Sequence, residues 1–194
     1  GIGPLRLIAQ CGGVAVGVDV DTLLKALYSA PGDTGPIKGG GRIDLVEGFF
    51  PSDPPTARAV GGGYDVFLSK NTLKRGYVHP EKEVDKRMLV NLGVSDAAFC
   101  REVASRLKRG GFFLVYNLSP AQNPPDKPYL PWADGRCPFT MEAFQSAGFE
   151  VLAYDVNDNF AAHEMGRRLG WDKGTSAMDF EKDLFGHYTL ARKR

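Results

Sequence analysis

Glycines and aspartates near the start of the chain have the types and the order that nucleotide binding requires. Gly1 and Gly3 precede a stretch of helical spacing, and Asp19 and Asp21 follow the apolar residues of the next predicted strand. A glycine-rich turn lets the backbone approach a ligand closely, and the helix after it offers free N–H groups. A carboxylate about 16–20 residues further on can accept hydrogen bonds from ribose hydroxyl groups. The pattern predicts a nucleotide-binding βαβ unit with Asp19 as the ribose ligand. Asp21 is the competing candidate, and a helix-capping or solvated carboxylate is the alternative for Asp19.

The first strand of this βαβ unit is missing from the sequence, because no strand precedes Gly1. A doubly wound sheet without its first strand would leave backbone groups of the neighbouring strands unpaired. We therefore expect upstream residues, including that strand, to belong to the native protein.

A polar cluster follows a short apolar strand in the middle of the chain. It comprises Ser69, Lys70 and Asn71 and, a little further on, Lys74 and Arg75. In open α/β sheets, ligands bind outside the carboxyl ends of the strands. We expect Ser69 and Asn71 to contact cofactor or substrate, and the three cations to bind an anionic group such as a carboxylate. A capped helix start with solvated lysines is the alternative.

Tyr77 and His79 follow this cluster and are the candidate catalytic side chains. An imidazole titrates near neutral pH, so it can take a proton from a hydroxyl or amine nucleophile. His79 is the preferred base among the three histidines. The alternative is a surface histidine that precedes Pro80.

Residues 118–139 contain six prolines and form a connection longer than is usual between a strand and a helix. Tyr129, Leu130 and Trp132 argue against disorder, because aromatic side chains need a surface to pack on. The segment is predicted to be a lid-like insert whose Tyr129, Trp132 and Arg136 contact the substrate. A structural strap is the alternative.

Strand-like and helix-like segments alternate along the chain, which indicates an α/β fold with a mostly parallel, doubly wound sheet and helices on both faces. One helix is predicted to begin at Ser95 and stop at Gly110, and another to be capped by Thr140. Strands are predicted at residues 14–20, 43–50, 64–68, 112–116, 149–154 and 187–191, and further helices at 4–11 and 21–29.

The composition of the chain indicates which kinds of protein and partner to expect. The 194 residues are 43% hydrophobic, which suits a single domain over residues 1–194, and the net charge of +1 gives no general attraction to nucleic acids or membranes. Cys11, Cys100 and Cys137 show no paired metal spacing, so we expect no metal site and free thiols in the cytoplasm. No apolar run reaches membrane-spanning length.

Four motifs in order resemble the class I S-adenosylmethionine-dependent methyltransferases. Gly1-x-Gly3 resembles the end of the first glycine motif of that family, and residues 17–19 (GVD) resemble its ribose-binding second strand. Residues 64–69 (YDVFLS) are similar to the fourth strand, and residues 107–115 (LKRGGFFLV) to the helix end that leads into strand five. The last two strands of the family form an antiparallel hairpin, and the C-terminal strands predicted here would supply it.

This resemblance implies S-adenosylmethionine as cofactor and an in-line methyl transfer. We expect a small acceptor, and the low net charge argues against a nucleic acid. It places Gly1 and Gly3 beside the methionine part of the cofactor. It also places the adenine slot after the third strand of the family, where Phe49, Phe50 and Asp53 lie and where plain core packing is equally plausible. An NAD(P)-dependent oxidoreductase and a non-catalytic cofactor-binding domain of the same fold are the other possibilities.

Overall fold

The computed structural model describes residues 2–121, 128 and 130–194. Within them the chain forms two compact units. The first holds the residues up to Gly62 together with Leu92–Val94, and the second holds Gly63–Asn91 and Ser95–Arg194.

The first unit contains a three-stranded sheet of order β1-β3-β2. Strands β1 and β3 are parallel and pair in register along their whole length, whereas β2 is antiparallel to β3. A proline in the first turn favours the start of α1, and the Asp53 side chain caps α3. The elements are α1 Gly3–Gln10, β1 Val14–Asp19, α2 Leu24–Leu27, β2 Gly35–Pro36, β3 Arg42–Glu47 and α3 Pro54–Val60.

The second unit contains a four-stranded sheet of order β4-β5-β7-β6. Strand β4 is parallel to β5, and β7 lies between β5 and β6 and is antiparallel to both. The strands are β4 Tyr64–Lys70, β5 Leu107–Ser119, β6 Phe149–Asn157 and β7 Phe185–Lys193. The helices are α4 Arg75–Val78, α5 Asp96–Arg106, α6 Met141–Ser146, α7 Asn159–Leu169 and α8 Phe180–Asp183, with 3-10 turns at Lys86–Met88 and Pro131–Ala133.

Phe113 on β5 is the centre of an aromatic core in the second unit. It is fully buried, and its ring centroid lies 5.3 Å from that of Phe67, 5.4 Å from Phe144, 5.9 Å from Phe149 and 6.2 Å from Phe139. Aromatic pairs at such separations add about 0.5–1.5 kcal/mol each beyond the burial of their surface. This cluster fixes β5 against the helices of one face, and so fixes the positions of its two neighbouring strands.

The predicted α/β class is confirmed, as are the antiparallel C-terminal strands and two helix starts. Ser95 Oγ accepts a hydrogen bond from Ala98 N–H at 3.3 Å, and Thr140 Oγ1 accepts one from Ala143 N–H at 3.3 Å. The expected strand upstream of Gly1 stays a prediction. Among the residues that the structure describes, no helix is both long and apolar enough to cross a membrane.

The predicted end of the helix at Gly110 is wrong, because α5 ends at Arg106 and Leu107 already pairs with Tyr64 as part of β5. The glycine pair lies inside the strand instead. A Cβ atom at Gly111 would lie 3.0–3.2 Å from three neighbouring backbone oxygen atoms. The glycine therefore permits close strand packing and does not end a helix.

Other element boundaries also differ from the predictions. The helix expected over residues 21–29 is the single turn α2, and the strand expected to reach Phe50 ends at Glu47. Helix α7 was not predicted, and its buried positions are Ala162, His163 and Gly166. Such small or polar inward residues produce only a weak apolar period, so the helix is hard to detect.

The Phe113→Ala variant should lose roughly 3–5 kcal/mol of unfolding free energy, since it opens a cavity among four aromatic rings. Phe160→Ala is the matched control, because Phe160 on α7 is 82% exposed and its removal should cost less than about 0.5 kcal/mol. Chemical denaturation of both variants measures the difference. Equal losses would contradict the assignment of this core.

Candidate functional site

The acidic ends of two parallel strands lie side by side in the first unit. Asp19 on β1 is in register with Glu47 on β3. Asp19 Oδ1 accepts the Asp21 N–H at 3.1 Å, and Asp21 Oδ1 accepts the Leu23 N–H at 2.9 Å. Both side chains are exposed. An ionised carboxylate can accept several hydrogen bonds, so each of these two aspartates can still accept bonds from a ligand with two hydroxyl groups.

The loop after β3 is tightly packed against α3. Gly48 has φ +143°, and a Cβ atom there would overlap the side chain of Thr56. Asp53 Oδ2 accepts the Thr56 N–H at 3.1 Å and also bonds to its hydroxyl group, so the carboxylate caps α3. Phe49 is 57% exposed and Phe50 is half-buried. The exposed face of Phe49 is therefore the part of this loop most open to a flat apolar ligand.

The polar cluster after β4 has a strong structural component. Ser69 is buried, and its Oγ accepts the Leu73 N–H at 3.1 Å. Asn71 has φ +62°, and its Oδ1 accepts the Leu118 N–H at 2.7 Å, which joins the ends of β4 and β5. Lys70 is exposed. The structure thus brings these side chains to the carboxyl edge of the sheet, as the sequence predicted.

Lys74 is buried, although lysine side chains are rarely found inside proteins. Its Nζ donates to the Leu118 carbonyl oxygen at 2.6 Å and lies 5.4 Å from the centroid of the Tyr77 ring. Burial lowers the pKa of Lys74 because the charged form is desolvated. An ammonium group has three N–H donors, so this nitrogen retains donors for an anionic group.

His79 and Asp96 form a close pair at the surface of the second unit. His79 Nε2 lies 2.9 and 3.0 Å from the two carboxylate oxygens of Asp96, which is the first residue of α5. The His79 side chain is 48% exposed. A carboxylate on one ring nitrogen holds the imidazole in one orientation. The pair also links α4 to α5, which is a structural function.

A charged network attaches the segment before α6 to α4. Arg136 donates to both oxygens of the buried Asp134, at 2.8 and 2.5 Å, and also pairs with Glu81 at 3.2 Å. Arg75 N–H donates to the Arg136 carbonyl oxygen at 2.9 Å, and Gly76 N–H donates to that of Asp134 at 3.1 Å. Burial raises the pKa of Asp134, but the hydrogen bonds and charge of Arg136, with the charge of Arg75, outweigh burial and lower it.

The described part of the predicted insert is thus held as a strap against α4. The half-buried Trp132 belongs to its 3-10 turn, and a Cβ atom at Gly76 would overlap the backbone of that turn. Tyr129, residues 122–127 of the predicted lid, and Gly1 lie outside the described residues. The predicted contacts of Trp132 and Arg136 with substrate stay predictions.

Two polar residues that the sequence did not single out meet beside this strap. Asn117 on β5 and His187 on β7 are direct partners in the antiparallel ladder. Asn117 Oδ1 and His187 Nδ1 are buried polar atoms without a hydrogen-bond partner among the described residues. A polar residue at the end of an otherwise apolar strand was the available signal for Asn117.

The three cysteine thiols are free, and two are buried. Burial raises the pKa of both Cys100 and Cys137 to about 12. These two thiols stay protonated near neutral pH, so neither supplies a thiolate nucleophile.

The candidate residues divide between the two units. Gly3, Asp19, Asp21, Phe50 and Asp53 belong to the first unit. The other described candidates belong to the second unit, where Asn71 and Lys74 bond to Leu118 near the carboxyl end of β5.

The sequence matches no family model and no curated protein. It is similar in structure to an S-adenosylmethionine-dependent methyltransferase from Mesorhizobium loti, with 15% identity, 99% of this chain and 97% of that chain covered, and a TM-score of 0.44. It is also similar to a SAM-dependent methyltransferase from Methanosarcina mazei, with 14% identity, 98% of this chain and 86% of that chain covered, and a TM-score of 0.45. For the [4+2]-cyclase SpnF the identity is 16%, the alignment covers 98% of this chain and 80% of that chain, and the TM-score is 0.47. All three TM-scores lie below 0.5, and one of the named proteins is a cyclase.

The Asp134→Asn variant should lose roughly 1–3 kcal/mol of unfolding free energy near neutral pH, because the charge-assisted bonds from Arg136 are weakened. A lowered carboxyl pKa stabilises the fold above the unfolded-state value of about 3.9 and loses that contribution as the pH falls through the folded value. The variant should therefore also show a weaker loss of stability below about pH 4.

Denaturation curves at several pH values measure both effects. Glu164→Gln, which changes an exposed pair with Arg167 on α7, is the control. An unchanged acid dependence in Asp134→Asn would contradict the assigned network.

Proposed function

We propose that the chain is an S-adenosylmethionine-dependent methyltransferase that acts on a small acceptor. The observation that carries this proposal is the place of β7, which lies antiparallel between β5 and β6. The sequence motifs resemble the class I methyltransferase family, whose last two strands form an antiparallel hairpin. The motifs and the strand arrangement therefore favour the same family.

The chemistry of the strand ends in the first unit suits the adenosine part of the cofactor. Ribose hydroxyl groups are hydrogen-bond donors, and the exposed carboxylates of Asp19 and Asp21 are acceptors with spare capacity. Asp19 would hold the ribose, Phe50 and Asp53 would border the adenine, and Gly1 and Gly3 would border the methionine part. When bound, S-adenosylmethionine supplies an electrophilic methyl group on a sulfonium centre.

The residues of the second unit would bind and orient the acceptor. Lys74, whose charge is desolvated and bonded to a carbonyl group, would hold an anionic group, with the exposed Lys70 and Arg75 attracting it. Ser69 and Asn71 fix the end of β4 and would border the bound molecules. An acceptor that carries a carboxylate fits these charges best. Alignment of its nucleophile, rather than activation of a leaving group, would supply most of the rate.

His79 would remove the proton from a hydroxyl or amine nucleophile. The bond between Nε2 and Asp96 orients the ring. Tyr77 would help to place the acceptor through its contact with Lys74. Tyr129, Trp132 and Arg136 would cover the acceptor from the insert.

An oxidoreductase that uses NAD(P) would also use a carboxylate to bind ribose. The antiparallel β7 and the motif at the end of β4 favour methyl transfer over that alternative. Incubation with labelled S-adenosylmethionine and panels of small acids, phenols and amines tests the proposal. Label should enter the acids first, and no transfer to any panel would favour a non-catalytic domain.

The Asp19→Ala variant should bind S-adenosylhomocysteine roughly 5- to 150-fold more weakly, because a hydrogen-bonded pair with the ribose is lost. Calorimetric titration measures the affinity. Asp65→Ala is the control, since the Asp65 side chain is 79% exposed and pairs only with Lys108 among the described residues. If Asp21→Ala loses more affinity for S-adenosylhomocysteine than Asp19→Ala does, Asp21 is the ribose ligand instead of Asp19.

The His79→Gln variant should lower kcat by about 10²- to 10⁴-fold, because general base catalysis contributes that range. Its KM should change little. Asp96→Asn should give a smaller loss of kcat, because it weakens only the contact that orients the ring. If either variant changes the unfolding free energy but leaves kcat intact, the pair is structural only.

A further inference from the structure

The orientation of the Asn117 amide is fixed by its own hydrogen bonds. Asn117 is 1% exposed, and its Nδ2 donates to the Leu73 carbonyl oxygen at 2.8 Å and to the Gly135 carbonyl oxygen at 3.0 Å. A flipped amide would place its oxygen against both carbonyl oxygens, which is repulsive. Oδ1 is therefore the atom that is buried without a partner among the described residues.

His187 stands opposite Asn117 on β7. Residues directly opposite each other in an antiparallel pair have Cβ atoms about 4.5–5.5 Å apart and lie on the same face. His187 Nδ1 is the second buried polar atom without a partner in the described part of the chain. Two unpaired atoms thus belong to neighbouring side chains at the carboxyl end of β5.

The strap covers the two atoms. A Cβ atom at Gly135 would lie 2.7 Å from Ser119 Oγ and 3.6 Å from His187 Cδ2, so only glycine lets the strap approach so closely. Ser119 is itself buried. These contacts place the Asn117, His187 and Ser119 side chains beside Gly135.

Leaving a buried polar atom unpaired costs about 1–3 kcal/mol, so two on adjacent side chains require an explanation. Asn117 Oδ1 can only accept a hydrogen bond. His187 Nδ1 accepts when the ring proton is on Nε2. With the ring proton on Nε2, both atoms are acceptors that one donor group can bond.

We propose that Asn117 Oδ1 and His187 Nδ1 form a binding site for an N–H or O–H group of the methyl acceptor. The proposal rests on the proposed function, since it assigns this donor group to the molecule that is methylated. It names the acceptor class as a small amine or alcohol, with the anionic group expected at Lys74. An acceptor without an N–H or O–H group would leave both atoms unpaired.

The test uses the whole chain and methylammonium as the probe, with tetramethylammonium as the control that carries the same charge but no N–H donor. Nitrogen-15 spectra of the imidazole rings, assigned through variants of the three histidines, report on His187. We expect Nδ1 without a proton in the free protein. Methylammonium should shift the Nδ1 signal saturably and more than the Nε2 signal, and tetramethylammonium should not.

The Asn117→Leu variant should weaken methylammonium binding about tenfold or more, because a charge-assisted bond is lost. If that variant does not fold, the His187→Phe variant is used in its place. Because this variant has no His187 nitrogen signal, the line width of the methylammonium signal then measures binding. Three results would overturn the proposal. One is a proton on Nδ1 that is bonded to Asn117, and another is an equal shift of the signal with both cations. The third is no shift with either cation, as expected if water alone occupies the site. Calorimetry with S-adenosylhomocysteine on the same sample tests the proposed function separately.

Discussion

The pairing of β5 with β4 on one edge and β7 on the other is the constraint on which the second unit depends. Alternate side chains of β5 face the buried side of the sheet, and their character changes along the strand. Phe113 and Val115 are apolar and fill the core, whereas Asn117 and Ser119 are polar and buried. The first half of β5 thus fixes the core, and the carboxyl end of the same strand carries buried polar side chains.

Two charges near that edge, those of Asp134 and Lys74, are held in different ways. Asp134 is matched by Arg136 and Arg75, and the desolvated Lys74 is held by a carbonyl oxygen instead of a carboxylate. A buried ammonium group without a described acidic partner is costly, which is typical of a group that binds an anion. The strap that carries Asp134 also encloses Asn117, so charge balance and enclosure depend on the same segment.

Patterns with a local cause could be predicted from the sequence. Ser95 and Thr140 each cap a helix where expected, since the cap depends only on residues three positions apart. The role of Gly111 could not be predicted, because a glycine pair signals both a helix end and a close strand contact. The meeting of Asn117 with His187 depends on the register between distant strands, which no single-sequence pattern reports. The placement of Ser69 and Lys74 at a strand end followed from the alternation of strands and helices.

Cofactor choice separates the two leading functions, since we propose that this α/β chain binds the cofactor of methyl transfer and not a nicotinamide dinucleotide. Parallel calorimetric titrations of the wild-type chain with S-adenosylhomocysteine and with NAD measure that choice. We expect saturable heat with S-adenosylhomocysteine and none with NAD. Saturable binding of NAD alone would overturn the proposed function.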